Sequence, residues 1–593
     1  MVDFSIPLNA LLPGALNALG FSRTLDSFGE TGTADDTSVL TQALDWLRSS
    51  PGQALTIPPG NYNVDGRLNL AGLNGVTINA HGAVLRQLEN AHTIFANPGE
   101  SGSTDYTTEP VIPMTGDFLA GSKPSIPVSD VSGISVGDLM WIRSRQTITP
   151  FAGQAVRQPV AEIFVVGAVD AGAKTVTPLY PITKDYIKDT VNNDPYFGGL
   201  YKHGLVKATG AASVIMKDVV IRGLTVSAPF SSEKYQFFLR QVKNLTLEDC
   251  SVINADNGFV IRGDGITHRR CKTTLTAVAG PTYRGEFSFA PDTGSSNINF
   301  EDCISESTNS IAYLHLHEGL SNIRCINHTL VSQPTSPTTL TQTGSIMVTG
   351  GSWNVKIDKP NIINGSMGSN GQGFGGIRVA NNDTLMPLGH KGMVISEPTF
   401  SGNFAYYPFR LDDCPGDITV ISPDFINVTC SLGSVWFQME AAGAVVIEPR
   451  IEPDNLLVSG SAFPTAKVYA KGKSLIISEI LSNSPNGLRL IQRLSGEASP
   501  RIFLENSADS AAVSIYEAQN SLVVGTSAVA GSASGTTAFV AGSAATLLAS
   551  GSNGQSNLSG LFKIGGNLVL KRIDVDLTAD SGGTGYYRLR ILS

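Results

Sequence analysis

Apolar and polar residues alternate along most of this chain in short runs, and the runs return. Asn244-Leu245-Thr246-Leu247-Glu248-Asp249-Cys250 is followed by Asn297-Ile298-Asn299-Phe300-Glu301-Asp302-Cys303, and later by Trp353-Asn354-Val355-Lys356-Ile357-Asp358-Lys359-Pro360. Residues 393–398, 417–423 and 444–449 repeat the pattern. One frame position is held by Leu224, Cys250, Cys271, Cys303, His328, Pro360, Pro398, Pro423, Pro449 and Ile480, with spacings from 21 residues (Cys250 to Cys271) to 38 (Pro360 to Pro398). Period-two alternation between Gly/Asn/Asp turns predicts short strands rather than helices. Repeats of this length predict a stack in which each unit buries its apolar side against its neighbours. The expected fold is all-β: a parallel β-helix with one coil per repeat.

Each coil carries a second strand in frame. The inward pairs read Phe259/Ile261, Phe287/Phe289, Leu314/Leu316, Ile346/Val348, Ile377/Val379, Phe409/Leu411 and Phe437/Met439. Alternation then puts one outer row at Val260, Ser288, His315, Met347, Arg378, Arg410 and Gln438, and a second at Arg262, Ala290, His317, Thr349, Ala380, Asp412 and Glu440. Glu286, Tyr313, Pro408 and Trp436 flank these rows; Glu318, Asp413 and Asp292 stand at strand ends. Coils lie about 4.8 Å apart, so these side chains form one patch. Aromatic rings offer flat apolar platforms with a polar edge. Arginine binds carboxylates in two-pronged fashion. Paired carboxylates divide acid and base roles in glycoside hydrolysis. The patch therefore points to a sugar chain as ligand. The pair His315/His317 has spacing compatible with a metal, but no third ligand is placed, and neither metal nor cofactor is expected. The row Asp249, Arg270, Asp302 alternates in sign and reads as a stabilising charge ladder.

Other segments divide the chain. Residues 1–27 are rich in Leu and Ala and read as a docking or flap segment. Residues 28–97 hold a helix over 38–48, with an apolar stripe of Leu40, Ala43, Leu44 and Leu47 and a cap at Asp36 or Thr37, then the first coils. Such a helix covers the open end of a solenoid. Residues 98–200 interrupt the coils with strands at 136–142, 161–166 and 175–179 and read as an inserted small β-domain. Residues 201–499 form the main helix. From 500 to 593 the composition turns to Ser, Ala, Gly and Thr, which suggests a separate C-terminal β-domain for trimerisation or carbohydrate binding.

Composition narrows the function classes. The chain has 593 residues, 62 Gly, 15% charged residues and a net charge of -9. That gives no electrostatic reason to expect nucleic acid. No apolar run reaches the length of a membrane span, and no basic n-region marks a secretory signal. The six cysteines lack CxxC spacing. Cys250, Cys271 and Cys303 share the inward frame and are expected as reduced core thiols.

Phe28-Gly29-Glu30-Thr31-Gly32, Asp35-Asp36-Thr37, the helix, and then Leu55-Thr56-Ile57-Pro58-Pro59-Gly60-Asn61-Tyr62 closely resemble the N-terminal signature of the pectate-lyase-like right-handed parallel β-helix superfamily. Glu30 and Thr33-Ala34 depart from the small or Gly-Asp-Gly residues common there. The resemblance covers residues 28–62 as motif and most of the chain as architecture, where it looks like a bacteriophage tailspike. It implies a homotrimer in a virion tail that binds and cuts bacterial surface polysaccharide, capsule or O-antigen, with residues 1–27 contacting other tail proteins. The first expectation is an endo-acting hydrolase with Asp412 and Glu440 as acid/base pair, Asp413 as alternate, and Arg378, Arg410, His315, Trp436, Tyr313, Gln438 and Glu318 around the glycan. The second is a lyase acting by β-elimination, with His315, His317 or Tyr313 as base and Arg378 or Arg410 as neutraliser. The third is a non-catalytic adhesin.

Overall fold

The computed structural model describes residues 22–96 (except 90), 111–148 (except 121–124), 158–186, 204–207, 215–332 (except 229–233, 277–286, 293, 308–312 and 317–318), and separate segments, mostly strands, between 344 and 589. The chain forms two compact units: residues 1–336 with 346–357 and 382–388, and residues 337–345, 358–381 and 389–593. Both are built from parallel coils.

The first unit opens with a cap. Helix Thr37–Ser49 buries Leu40, Ala43, Leu44 and Leu47, one stripe at helical spacing. Asp35, not Asp36, does the side-chain capping: its Oδ1 accepts the Thr37 amide at 2.9 Å and the Thr37 hydroxyl at 2.5 Å. Asp36 stands at the cap position but is wholly buried. Its two oxygens accept the amides of Thr33 at 3.0 Å and Asn63 at 2.9 Å. The Thr37 hydroxyl accepts the Asp65 amide at 2.8 Å. The Asp-Asp-Thr triplet thus starts the helix and ties it to strand Gly60–Val64.

Three parallel faces then stack. One runs through Gly60–Val64, Ala83–Gln87, Thr225–Ser227, Ser251–Ala255, Lys272–Leu275, Ile304–Ser307 and Thr329–Ser332. The other two share the long strands Tyr235–Glu248 and Asn257–Arg269, which turn a corner between the faces. The frame position is inward as expected: Leu224, Cys250, Cys271, Cys303 and His328 are all buried. The three thiols are free. Each lies near a carbonyl one coil below, Cys250 Sγ at 3.4 Å from Ile221 O and Cys271 Sγ at 3.3 Å from Leu247 O. Burial, with Cys250 and Cys303 on either side, pushes the Cys271 thiol well up, so it stays protonated. Phe237, Phe259 and Phe289 stack at 4.6 and 5.0 Å, and His268 lies 4.9 Å over Phe300.

The corners explain the Asn/Asp ends of each repeat. Asp218, Asn244, Asn297, Asn322 and Asn354 all have φ of 52 to 54°, and Asp249, Arg270, Asp302 and Asn327 of 51 to 54°. Asn and Asp tolerate this left-handed conformation best among side-chain-bearing residues. The first column also bonds along the stack: Asn244 Nδ2 to Asp218 at 2.7 Å, Asn322 Nδ2 to Asn297 at 3.1 Å, Asn354 Nδ2 to Asn322 at 2.6 Å. Gly265 interrupts it at φ 71°, where a Cβ would meet the Asn244 amide oxygen at 2.6 Å. In the second column Arg270 clasps Asp249 at 2.8 and 2.9 Å and reaches Glu248 at 2.8 Å. Asp302 takes Asn327 at 2.9 Å instead, so the charge ladder is shorter than the sign alternation suggested.

The inserted segment is a closed antiparallel barrel. Val111–Pro113, Gly204–Lys207, Leu139–Ile148, Gln158–Asp170, Thr175–Pro178 and Ile126–Pro127 pair in that order, and the bridge Met114↔Val128 closes the ring. It reaches past residue 200 to take Gly204–Lys207. Met140, Ile142, Phe164, Val166 and Tyr186 fill it; alternation turns Leu139, Trp141, Ile163 and Val165 outward. The barrel is fastened to the coils by buried polar contacts. Lys184 Nζ donates to Gly319 O at 2.5 Å and Ser321 Oγ at 2.6 Å. Glu162 accepts the Thr183 amide at 3.0 Å. Burial drives the Lys184 ammonium down to about 8 and pushes the Glu162 carboxyl up; each charge partly offsets the other's shift.

The second unit repeats the plan. Asn361–Asn364, Thr399–Phe404 and Asp424–Cys430 pair in parallel, as do Gly375–Ala380, Phe409–Asp412, Phe437–Met439, Ala466–Ala470 and Leu488–Gln492. Farther along, pairings turn antiparallel: Arg501–Leu504 with Ile573–Asp576, and Ser514–Glu517 with Leu522–Gly525.

Candidate functional site

The outer face of the first unit departs from the sequence reading at one coil. Phe259 pairs with Phe289 and Ile261 with Pro291, not with Phe287 and Phe289. The shift is two residues, so every side chain keeps its face. The outer row becomes Val260, Ala290, His315 and Met347, and Ser288 leaves it. One position on, Asp292 replaces Ala290 beside Arg262; its amide bonds to Ile261 O at 2.9 Å.

This shift assembles a cluster. Arg240, the register partner of Arg262, places Nε 2.9 Å from Asp292 Oδ2, and Arg262 Nη1 lies 3.9 Å from the same oxygen. The Arg262 guanidinium also lies 4.5 Å over the ring of Trp141, brought by the barrel, and that of Arg240 lies 4.5 Å over Phe238. Cation–π contacts of this kind gain strength with desolvation, and all three charged side chains are at most 14% exposed.

An aromatic stripe runs from there across the coils. Phe95, His92, Phe238 and Tyr235 stack with centroids 4.6 to 6.0 Å apart, and Tyr235 leads at 6.0 Å to Phe287. Phe287 lies 5.5 Å from Tyr313 and 5.0 Å from His315, the latter almost parallel. His92, Tyr235 and Phe287 are half-buried; Phe95 and Phe238 form the buried floor with Val260 and Ala290. Arg67, exposed, sits 5.0 Å over Phe95. Burial pushes the His92 imidazole down to about 4, the cations Lys234, Arg67 and Arg240 add to the shift, and its Nδ1 hydrogen bond to Tyr235 O at 3.0 Å opposes it. The ring is therefore neutral near pH 7, with Nδ1 donating.

The residues singled out from sequence are distributed differently. His315 and Tyr313, expected on an accessible surface, are buried beneath this stripe, and the Tyr313 hydroxyl lies 3.0 Å from Met347 Sδ. The outer side of a coil is not solvent here, because rings from adjacent coils cover it. In the second unit Arg378 is buried and pairs in register with Arg410, whose next partner is Gln438. Asp412 ends the strand Phe409–Asp412, opposite Ala380. These are the expected neighbours along the backbone; the side chains of Arg410, Asp412 and Gln438 lie outside the described residues, as do Glu286, His317, Glu318, Asp413, Trp436 and Glu440 altogether. Among the described residues no group of His, Cys, Asp or Glu is arranged to hold a metal.

Sequence reasoning missed His92, Phe95, Tyr235, Phe238 and Arg240. The signal was present in Tyr235-Gln236-Phe237-Phe238-Leu239-Arg240, whose parity matches 257–262 one coil on. Extending the second-strand frame by that coil would have placed Phe238 and Arg240 outward.

No protein-family model matches the chain. No curated protein matches it in sequence. Among solved structures, the Gp54 tailspike of Acinetobacter baumannii bacteriophage AP22, in complex with an A. baumannii capsular saccharide, is 12% identical at a TM-score of 0.40, covering 86% of this chain and 83% of its own. The tailspike protein gp49 of Pseudomonas phage LKA1 is 13% identical at a TM-score of 0.37, covering 91% of each chain. PfbA, a surface adhesin of Streptococcus pneumoniae, is 12% identical at a TM-score of 0.40, covering 83% of this chain and 96% of its own.

Proposed function

We propose that this chain binds bacterial surface polysaccharide along the outer face of its coils and cleaves it as an endo-acting glycoside hydrolase of tailspike type. The observation that carries the binding half is the aromatic stripe, whose half-buried rings His92, Tyr235 and Phe287 reach the surface. A sugar ring has one apolar face, and stacked side-chain rings with polar rims suit it. Neighbouring coils repeat at a fixed rise, which suits a polymer with repeating residues.

The cleavage half rests on Asp412 and Glu440. One carboxyl would protonate the leaving oxygen while the other activates water or attacks the anomeric carbon, according to their separation. Arg378 and Arg410 stand in adjacent coils on the same strand face; Arg378 is buried, so Arg410 is the one that would hold the glycan. Asp413 is the alternate acid. The assembly proposed is a homotrimer in a phage tail, reached by other tail proteins through residues 1–27.

A non-catalytic adhesin is the second reading, favoured by one observation. Asp292, the carboxylate beside the aromatic stripe, is engaged by Arg240, so that surface resembles a binding site more than a hydrolytic one. The lyase reading loses support, since burial of His315 and Tyr313 denies two of its candidate bases contact with substrate.

The test is incubation with a panel of capsular and O-antigen polysaccharides, reading fragment size and ultraviolet absorbance. Fragments without absorbance are expected. Asp412→Asn and Glu440→Gln should each reduce cleavage by at least a hundredfold, a typical general acid–base contribution, while binding persists. Full activity in both variants would sink the hydrolase assignment; binding without fragments would leave the adhesin.

A further inference from the structure

We infer that the outer face of the first unit takes a carboxylate-bearing sugar chain, its rings laid on His92, Tyr235 and Phe287 and its acid groups held by Arg67, Lys234 and Arg240. This rests on the glycan-binding reading and names the class of glycan. It also makes this surface of the first unit a binding subsite; the cleavage candidates belong to the second unit.

Three observations converge. The cations are placed on the rings themselves: Arg67 lies 5.0 Å over Phe95, and Arg240 lies 4.5 Å over Phe238. A sugar stacked beside Phe238 therefore meets guanidinium at its edge. The charges bearing on His92, in the middle of the stripe, come from Lys234, Arg67 and Arg240, all of one sign. These cations gather in a chain whose net charge is -9, so they are not a by-product of a basic protein. Finally, Arg240 is oriented from behind. Asp292 Oδ2 lies 2.9 Å from its Nε as an ion pair, and the Phe238 face lies beneath it. A guanidinium placed over a ring and beside one carboxylate keeps further donors for a second carboxylate, which it can bind in two-pronged fashion.

Trp141 gives the barrel a part in this. It stacks on Arg262, which lies 3.9 Å from the Asp292 oxygen that holds Arg240. Trp141 is thus a positioning residue, acting on the sugar through Asp292 and Arg240.

The experiment is affinity electrophoresis of the full chain through gels containing hyaluronan, alginate or polygalacturonate, each beside its carboxyl-reduced form, with dextran sulfate as a charge-only control. At least one uronate polymer should retard the protein at tenfold lower concentration than its reduced form. Arg67→Ala with Arg240→Gln should erase that difference. Phe287→Ala should weaken both forms. Trp141→Phe, which keeps a ring against Arg262, should rescue what Trp141→Leu loses for the acidic polymer alone. Equal retardation by acidic and reduced polymers overturns the inference and leaves glycan binding standing. So does retardation by dextran sulfate that matches the uronates and ignores Phe287→Ala, because charge alone then suffices. Retardation by none of the three uronates also overturns it; if the bacterial panel is likewise unbound, the glycan-binding reading falls too.

Discussion

His268 and His328 are imidazoles enclosed among phenylalanines, and the cost of charging them shapes how the protein responds to acid. Burial pushes both down to about 3, and for His268 the charge of His328 adds to the shift. The sign follows from proton counting. Between about 3 and 6.5 the unfolded chain binds protons at these sites and the folded chain does not, so stability is full above pH 6.5 and is lost as pH falls through that window. Each pH unit there is worth about 1.4 kcal/mol per histidine at most. His268→Leu keeps an apolar side chain beside Phe259, Phe289 and Phe300 and removes one of these protons. Melting temperature measured from pH 7 to pH 4 should fall less steeply in the variant; parallel curves would contradict the assignment. Cys271, at the same depth, behaves otherwise: burial pushes its thiol up, so it stays neutral and silent over this range.

At the scale of elements, the barrel is held by a few buried polar contacts rather than by its own fold alone. Lys184 spends its ammonium on Gly319 O and Ser321 Oγ, on the coils, and sits beside buried Glu162. Removing one member of such a set strands the others, which typically costs about 3–5 kcal/mol. Lys184→Met is therefore expected to destabilise by about that amount and to expose the junction to protease, whereas Lys184→Met with Glu162→Gln should recover part of the loss. Unaltered digestion in the single variant would show that Trp141 against Arg262 and the Ser296 hydroxyl, which donates to Ile163 O of the barrel, suffice to hold it. The helix cap illustrates the same economy: Asp36 was legible as a capping position, yet its carboxylate serves strand Gly60–Val64 and Asp35 takes the capping work. Local sequence names the turn; which of two adjacent carboxylates faces the solenoid depends on where the coil passes.

For the whole molecule, the stack sets both robustness and reach. Adjacent coils share their strand pairings and corner side chains, so losses at one coil pass chiefly to the next. The proposed trimer predicts, by light scattering of the purified protein, a particle of three times the 62.4 kDa chain mass; a monomer with full polysaccharide binding would remove any need for a site shared between chains.

The repeat, the inward frame and the corners were determined by the sequence alone. They recur at every coil and depend on neighbours a few residues away: alternation sets the faces, and Asn or Asp marks the left-handed corner, so Cys250, Cys271, Cys303 and His328 could be stacked without coordinates. The tertiary structure decided what those rules leave free. Segments between strands vary in length, so the coil at Phe287–Pro291 slips by two residues without violating alternation, and that slip alone brings Asp292 to Arg240 and Arg262. The barrel's strands name their own partners, but nothing local tells Trp141 that it will cover Arg262, or Lys184 that it will meet Gly319. Those contacts join residues more than a hundred positions apart and form only when two separately folded surfaces meet.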